Sequence, residues 1–139
     1  MKVYFFLVLP ILIFASCKKY EEDGSTFRAE KKLLKTWVYS EKILSDGTIY
    51  KPVYTYTQTY FEDGTMILAS DYDTAYTELN WKWEFVDKKM SIRSTLDNWD
   101  TYILSKIIKL TDTELWIKTN LIDNGEVYGL PDLEKHIAL

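Results

Sequence analysis

The chain has 139 residues and a formal net charge of −4, with 21 acidic residues against 17 lysines and arginines. This charge argues against a nucleic-acid partner, which needs a basic face, and against electrostatic binding to anionic lipid headgroups. The length suits one domain with one hydrophobic core, and the 11 tyrosines and 5 tryptophans favour β-strands.

The N-terminus is typical of a signal peptide. Lys2 precedes an apolar run over residues 3–15, which is too short to span a membrane because a spanning helix needs about 20 residues. Phe14-Ala15-Ser16-Cys17 then resembles the lipobox of bacterial lipoproteins, with Phe14 where leucine is usual. Cys17 is the only cysteine, so it has no disulfide partner in an exported protein. We therefore expect a lipoprotein signal peptide over 1–16 and lipid attachment at Cys17; the alternative is a buried N-terminal helix.

Residues 17–26 are predicted to be the lipidated cysteine followed by a flexible tether, since they are polar and lack apolar periodicity. Lys18 rather than aspartate follows the cysteine, which by analogy with Gram-negative lipoproteins favours the outer membrane. Acidic residues soon after Lys18-Lys19 resemble the surface-export signal of Bacteroidetes lipoproteins, although a solvated linker fits equally well. The expected location is the cell envelope, on either face of the outer membrane.

Residues 27–139 are predicted to form one β domain. A short helix over 27–35, capped by Ser25 or Thr26, comes first. From Trp37 the apolar residues alternate with polar ones, and Asp-Gly pairs mark hairpin turns. The predicted strands cover about 37–45, 53–62, 65–70, 79–85, 89–95, 101–110, 114–121 and 135–139. This spacing predicts an all-β fold, an antiparallel up-and-down β-barrel of about eight strands.

Several short motifs then resemble those of the lipocalin-like lipoproteins of Bacteroidetes. They are Lys35-Thr36-Trp37, Tyr60-Phe61-Glu62-Asp63-Gly64-Thr65, Trp81-Lys82-Trp83, Ile107-Ile108-Lys109-Leu110-Thr111 and Glu114-Leu115-Trp116. The resemblance spans about residues 33–139 and implies a lipocalin-like barrel in an exported lipoprotein. These are turn and core motifs, so they are specific for the fold and carry little information about a ligand.

Catalytic and metal-binding chemistry is not predicted. His136 is the only histidine and is interpreted as a surface or strand-edge residue, which makes a zinc site or a catalytic triad improbable. Asp71, Asp73 and Glu78 lack the spacing of a calcium loop and are interpreted as a solvated loop. We expect no enzymatic activity, no cofactor and no metal.

The aromatic residues of the strands suggest two classes of function. In the first, the barrel binds a small amphipathic or hydrophobic molecule, and we predict that Tyr54, Tyr56, Trp83 and Tyr102 line the site. Core packing is the alternative for Trp37 and for one of Trp81 and Trp83. In the second, the barrel is filled and the protein is a non-enzymatic accessory that docks on an envelope protein complex. An open cavity favours the first, and an exposed aromatic patch favours the second.

Overall fold

The computed structural model describes Tyr20 and residues 28–72, 77–129 and 132–139. Most of these residues lie in antiparallel strands, preceded by a short helix. The helix is α1 (Ala29–Leu33), and the strands are β1 (Thr36–Ile43), β2 (Ile49–Tyr50), β3 (Tyr56–Tyr60), β4 (Thr65–Ser70), β5 (Thr77–Val86), β6 (Ser91–Thr95), β7 (Thr101–Leu110), β8 (Glu114–Asp123), β9 (Glu126–Tyr128) and β10 (Leu133–Ala138).

Eight of the strands form a closed barrel. Their order is β10-β1-β3-β4-β5-β6-β7-β8, and β10 also pairs with β8, which closes the ring. The short strands β2 and β9 pair outside this ring, with β1 and β8 respectively. The prediction of an up-and-down barrel of about eight strands with a short N-terminal helix is confirmed.

A β-bulge in β1 changes which side chains face the barrel interior. Tyr39 is opposite His136, but Glu41 is opposite Lys135, so one extra residue lies between the two pairs. Since side chains alternate along a strand, the bulge places Tyr39 inside and Glu41 outside, where Glu41 contacts the Lys135 ammonium at 2.9 Å. Simple alternation from Trp37 predicts that Tyr39 and Ile43 share one face, but beyond the bulge Ile43 lies on the opposite face from Tyr39.

The core fills one end of the barrel, which we call the closed end. Helix α1 lies there, and its Leu33 packs with Trp37, Trp83 and Leu115 among other buried residues. The connections 61–64, 87–90 and 111–113 return the chain at this same end. Connections 44–55 and 96–100 lie at the opposite end, which we call the open end.

Tyr20 is part of the core at the closed end. Its side chain is 1% exposed, and its hydroxyl donates a hydrogen bond to the carbonyl oxygen of Lys89, 2.9 Å away. Lys89 belongs to a turn, Asp87–Lys89, whose three residues have positive φ angles. Tyr20 falls in the segment predicted to be a flexible tether, but its side chain is buried. Residues 17–19 and 21–26 of that segment lie outside the described residues.

The described strand pairings and core contacts all lie within residues 20–139. A chain that begins at Lys18 therefore retains every one of these contacts.

The described helix is shorter than predicted and has Arg28 as its N-cap residue, with no side-chain capping bond. The predicted caps, Ser25 and Thr26, lie outside the described residues. Strands β2 and β9 were not predicted, because each is only two or three residues long.

Candidate functional site

A cavity of about 340 Å³ occupies the middle of the barrel. It is bounded toward the closed end by core residues that also line it, namely Tyr60, Met66 and Ile117. Toward the open end it reaches Tyr56, which is 39% exposed. The volume lies in the range of small-molecule sites. The complete lining comprises Tyr39, Tyr56, Thr57, Gln58, Tyr60, Met66, Leu68, Ser94, Ile103, Ser105, Ile117, Thr119, Glu134 and His136.

The sequence produces this cavity because the inward positions at this level carry small or polar side chains. Ser94, Ser105 and Thr119 lie on three neighbouring strands, where larger apolar side chains would fill the barrel. The Ser105 and Thr119 hydroxyls lie 3.1 Å apart and hydrogen bond to each other. Their polarity is thus largely satisfied across the strand pair, and the space in front of them remains empty of protein atoms.

A chain of polar groups crosses one wall of the cavity. The Tyr60 hydroxyl donates to Gln58 Oε1 at 3.2 Å, and Gln58 Nε2 donates to the His136 imidazole, 3.2 Å from Nδ1 and 3.4 Å from Nε2. His136 Nε2 lies 3.7 Å from a carboxylate oxygen of Glu134. The ring of Tyr39 packs at an angle against the imidazole, with 5.4 Å between ring centroids. These groups give an otherwise apolar site a few fixed polar contacts, as ligand pockets commonly have.

The interpretation of His136 as a surface or strand-edge residue is wrong. It is 6% exposed and faces the interior, while its neighbour Lys135 faces outward. The reason is that His136 is paired with Tyr39 on one side and with Leu115 on the other, and both of these face inward. Alternation along β10 then places Glu134 inside with it.

Burial changes the ionisation of the cavity phenols. It raises the pKa of Tyr39 to about 12, and the nearby carboxylate of Glu134 adds to the effect. Burial also raises the pKa of Tyr60. Both hydroxyls therefore stay protonated in neutral solution and can donate hydrogen bonds to a ligand or to the wall.

We predict that the barrel loses stability as the pH rises from 10 through about 12. Burial raises the pKa of Tyr20 and Tyr39 to about 12, whereas the ordinary tyrosine value is 10.0. In this window the unfolded chain therefore binds fewer protons than the folded chain, and unfolding is favoured; below pH 10 the stabilisation is fully present. Urea midpoints measured across this range should fall in the wild type and fall less in a Tyr20→Phe, Tyr39→Phe double variant. If the urea midpoints of the two proteins fell equally with pH, the loss of stability could not be assigned to Tyr20 and Tyr39.

The four residues predicted to line the site lie in different places. Tyr56 lines the cavity, with its ring 6.3 Å from that of Tyr39 in an edge-to-face arrangement. Tyr54 packs on Tyr72 near the open end, with 4.6 Å between centroids, and is not among the lining residues. Trp83 is 8% exposed in the core.

Tyr102 faces outward on β7, since the adjacent Ile103 lines the cavity. The Arg93 guanidinium carbon lies 5.4 Å from the centre of its ring. Tyr102 and Trp81 border a separate pocket of about 240 Å³ beside the β6–β7 connection. The indole nitrogen of Trp81 is buried without a hydrogen-bond partner.

Sequence reasoning missed five of the lining residues that carry the polar chemistry: Tyr39, Gln58, Tyr60, Glu134 and His136. The pattern Tyr56-x-Gln58-x-Tyr60 in β3 shows alternate positions on one face, which could have suggested that Gln58 faces inward. For Glu134 and His136 the local sequence has no strong apolar alternation. Their direction follows only from their pairing with β1 and β8.

Some of the predicted features lie outside the described residues. They are the signal peptide over 1–16, the lipid-attachment residue Cys17, and Asp73 of the predicted solvated loop. Within the described ranges, no three histidine, cysteine, aspartate or glutamate side chains come together as metal ligands. No helix in those ranges is long and apolar enough to cross a bilayer.

No model of a known protein family matches the chain, and no curated protein matches it significantly.

Proposed function

We propose that this chain is a lipid-anchored protein of the outer membrane whose barrel binds a small amphipathic molecule. The observation that carries the proposal is the cavity of about 340 Å³ in the middle of a closed barrel. A barrel of eight strands has room for its own side chains or for one small ligand. Here the inward serine and threonine side chains leave space that a filled barrel would not have.

The chemistry of the lining supports an amphipathic ligand. Apolar side chains such as Met66, Leu68 and Ile103 form part of the wall, and the chain of polar groups from Tyr60 to Glu134 forms another part. A purely apolar molecule would leave the polar groups without new partners. A strongly hydrated molecule would lose its water against the apolar wall.

The lipid anchor is supported by the lone Cys17 directly after an apolar run. The burial of Tyr20 adds a geometric consequence. Three residues of extended chain span at most about 11 Å, so a lipid on Cys17 would hold the closed end of the barrel close to the membrane. The open end, on the opposite side of the barrel, would then face away from the membrane and toward the aqueous phase.

A cavity-filling variant tests ligand binding. In the chain 18–139, the neutral fluorescent probe N-phenyl-1-naphthylamine should bind the wild type with increased emission, since the cavity is largely apolar. Leu68→Trp should abolish this signal because the larger side chain occupies the cavity that Leu68 lines. Tyr54→Trp is the matched control, since Tyr54 lies outside the lining and its variant should bind normally.

The outcome is interpretable if circular dichroism shows that both variants are folded. Equal probe binding by wild type and Leu68→Trp would place the probe outside the barrel. An absence of probe binding by the folded wild type would overturn the proposed function. It would favour the alternative of an accessory protein that docks on an envelope complex.

A further inference from the structure

We propose that the cavity selects amphipathic cations, with an ammonium group held beside Glu134, Tyr39 and Tyr56 and an apolar tail along Met66 and Leu68. This inference rests on the proposed function, because it names the class of ligand that the same cavity takes. It is carried by the distribution of charge around the cavity and by the position of two tyrosine rings next to the acidic group.

Glu134 is the one carboxylate among the described lining residues, and none of these residues is lysine or arginine. Lys42 lies opposite Glu134 on β1 and shares its face of the sheet, and its ammonium contacts the carboxylate of Asp132 at 3.1 Å. Lys135, beside Glu134 in the chain, faces outward and contacts Glu41. The neighbouring lysines are thus paired with other acids.

His136 lies beside Glu134 but outside hydrogen-bond distance of it, since Nε2 is 3.7 Å from the carboxylate oxygen. Gln58 Oε1 accepts the hydroxyl proton of Tyr60, so the amide nitrogen of Gln58 points at the imidazole, 3.2 Å from Nδ1 and 3.4 Å from Nε2. The imidazole is thus held by Gln58, and the carboxylate has no hydrogen bond from it.

Two aromatic rings complete the position for a cation. Tyr39 and Tyr56 stand edge to face on the same stretch of wall, with 6.3 Å between ring centroids. Glu134 lines the same cavity as both rings, and its carboxylate adds to the burial that raises the pKa of Tyr39. Aromatic rings attract ammonium groups and a carboxylate adds charge attraction, so these three side chains supply the groups that bind a cation.

The rest of the lining fits the other half of such a ligand. Met66, Leu68, Ile103 and Ile117 provide apolar contacts away from Glu134. An anionic head, such as a carboxylate, would meet Glu134 as a like charge in a partly buried site, which disfavours binding. A neutral alcohol would make the apolar contacts and gain no charge attraction.

Competition among three probes with the same tail tests this selectivity. Octyltrimethylammonium, 1-octanol and octanoate are each titrated against N-phenyl-1-naphthylamine bound to the chain 18–139. We expect the cation to displace the probe at a concentration at least about tenfold below that of octanoate, a difference equivalent to about 1.4 kcal/mol. Octanol should fall between the two.

The Glu134→Gln variant isolates the carboxylate. It should weaken binding of the cation about tenfold and leave octanol unchanged, because only the charge is removed. Glu62→Gln is the charge-matched control, since Glu62 is exposed outside the cavity lining. It should bind all three probes like the wild type.

Failure of the inference is distinguishable from failure of the proposed function. If the fluorescent probe binds and Leu68→Trp abolishes binding, but octanoate competes as well as the cation, the cavity binds ligands and the charge preference is overturned. The charge preference is also overturned if Glu134→Gln and the wild type bind the cation equally. If the fluorescent probe itself does not enter the folded barrel, the proposed function fails first.

Discussion

Replacing Trp83 with alanine is expected to lower the free energy of unfolding by about 3–5 kcal/mol, the range found for large aromatic residues in cores. Trp83 is nearly fully buried, and its ring contacts those of Tyr60 and Phe85, with 5.4 Å between centroids in both pairs. Its indole N–H also donates to the carbonyl oxygen of Phe61 at 3.1 Å. The substitution removes this packing and this hydrogen bond, while the Phe61 carbonyl keeps the bond from the Gly64 backbone N–H at 3.2 Å.

The measurement is urea unfolding of the chain 18–139, followed by circular dichroism. Trp99→Ala is the control, because Trp99 is exposed in the β6–β7 connection and its loss should cost less than about 1 kcal/mol. A small loss of stability in Trp83→Ala, together with loss of probe binding, would contradict the core position. It would instead support a position in the ligand site, as the sequence pattern predicted.

Replacing Tyr20 with alanine is expected to cost about 3 kcal/mol, because it opens a cavity in the core at the closed end. The side chain packs in the cluster that contains Ala29 and Leu33, and its hydroxyl bonds the Lys89 carbonyl. Tyr20→Phe keeps the ring and removes only the hydrogen bond, so its cost should be about 1 kcal/mol.

The two variants together separate packing from hydrogen bonding at this position. Tyr72→Ala serves as the control, since Tyr72 is an exposed tyrosine near the open end. If Tyr20→Ala were as stable as the wild type, the residue would not hold the N-terminal segment to the barrel. The proposal that the closed end of the barrel lies close to the membrane would then be contradicted, because it depends on the burial of Tyr20.

Much of the barrel could be predicted because its strands and turns are encoded locally. Strands β4 and β7 begin and end at the predicted residues, since clear breaks surround them. Gly64 and Gly125 have positive φ angles, which the Asp-Gly and Asn-Gly turn signals anticipate. The bulge in β1 could not be predicted, because the extra residue is recognisable only against the partner strand.

The candidate site was harder to predict, because its position depends on depth along the barrel axis. Tyr56 and Trp83 both point inward from strands, yet one lies in the cavity and the other in the core. Alternation along a strand reports the face of a residue and not its depth. The burial of His136 and Tyr20 likewise follows from contacts with residues far away in the chain.

The most direct test of ligand carriage is native mass spectrometry of the full lipid-bearing chain, purified in mild detergent from the membranes of its host. We expect a reproducible additional mass under native conditions. That mass should disappear on denaturation, should carry a positive charge and should be absent from the Leu68→Trp variant. After denaturation, acyl chains should remain covalently attached at Cys17. A native mass equal to the denatured mass, unchanged after incubation with envelope extract, would contradict the central claim that the barrel carries a ligand.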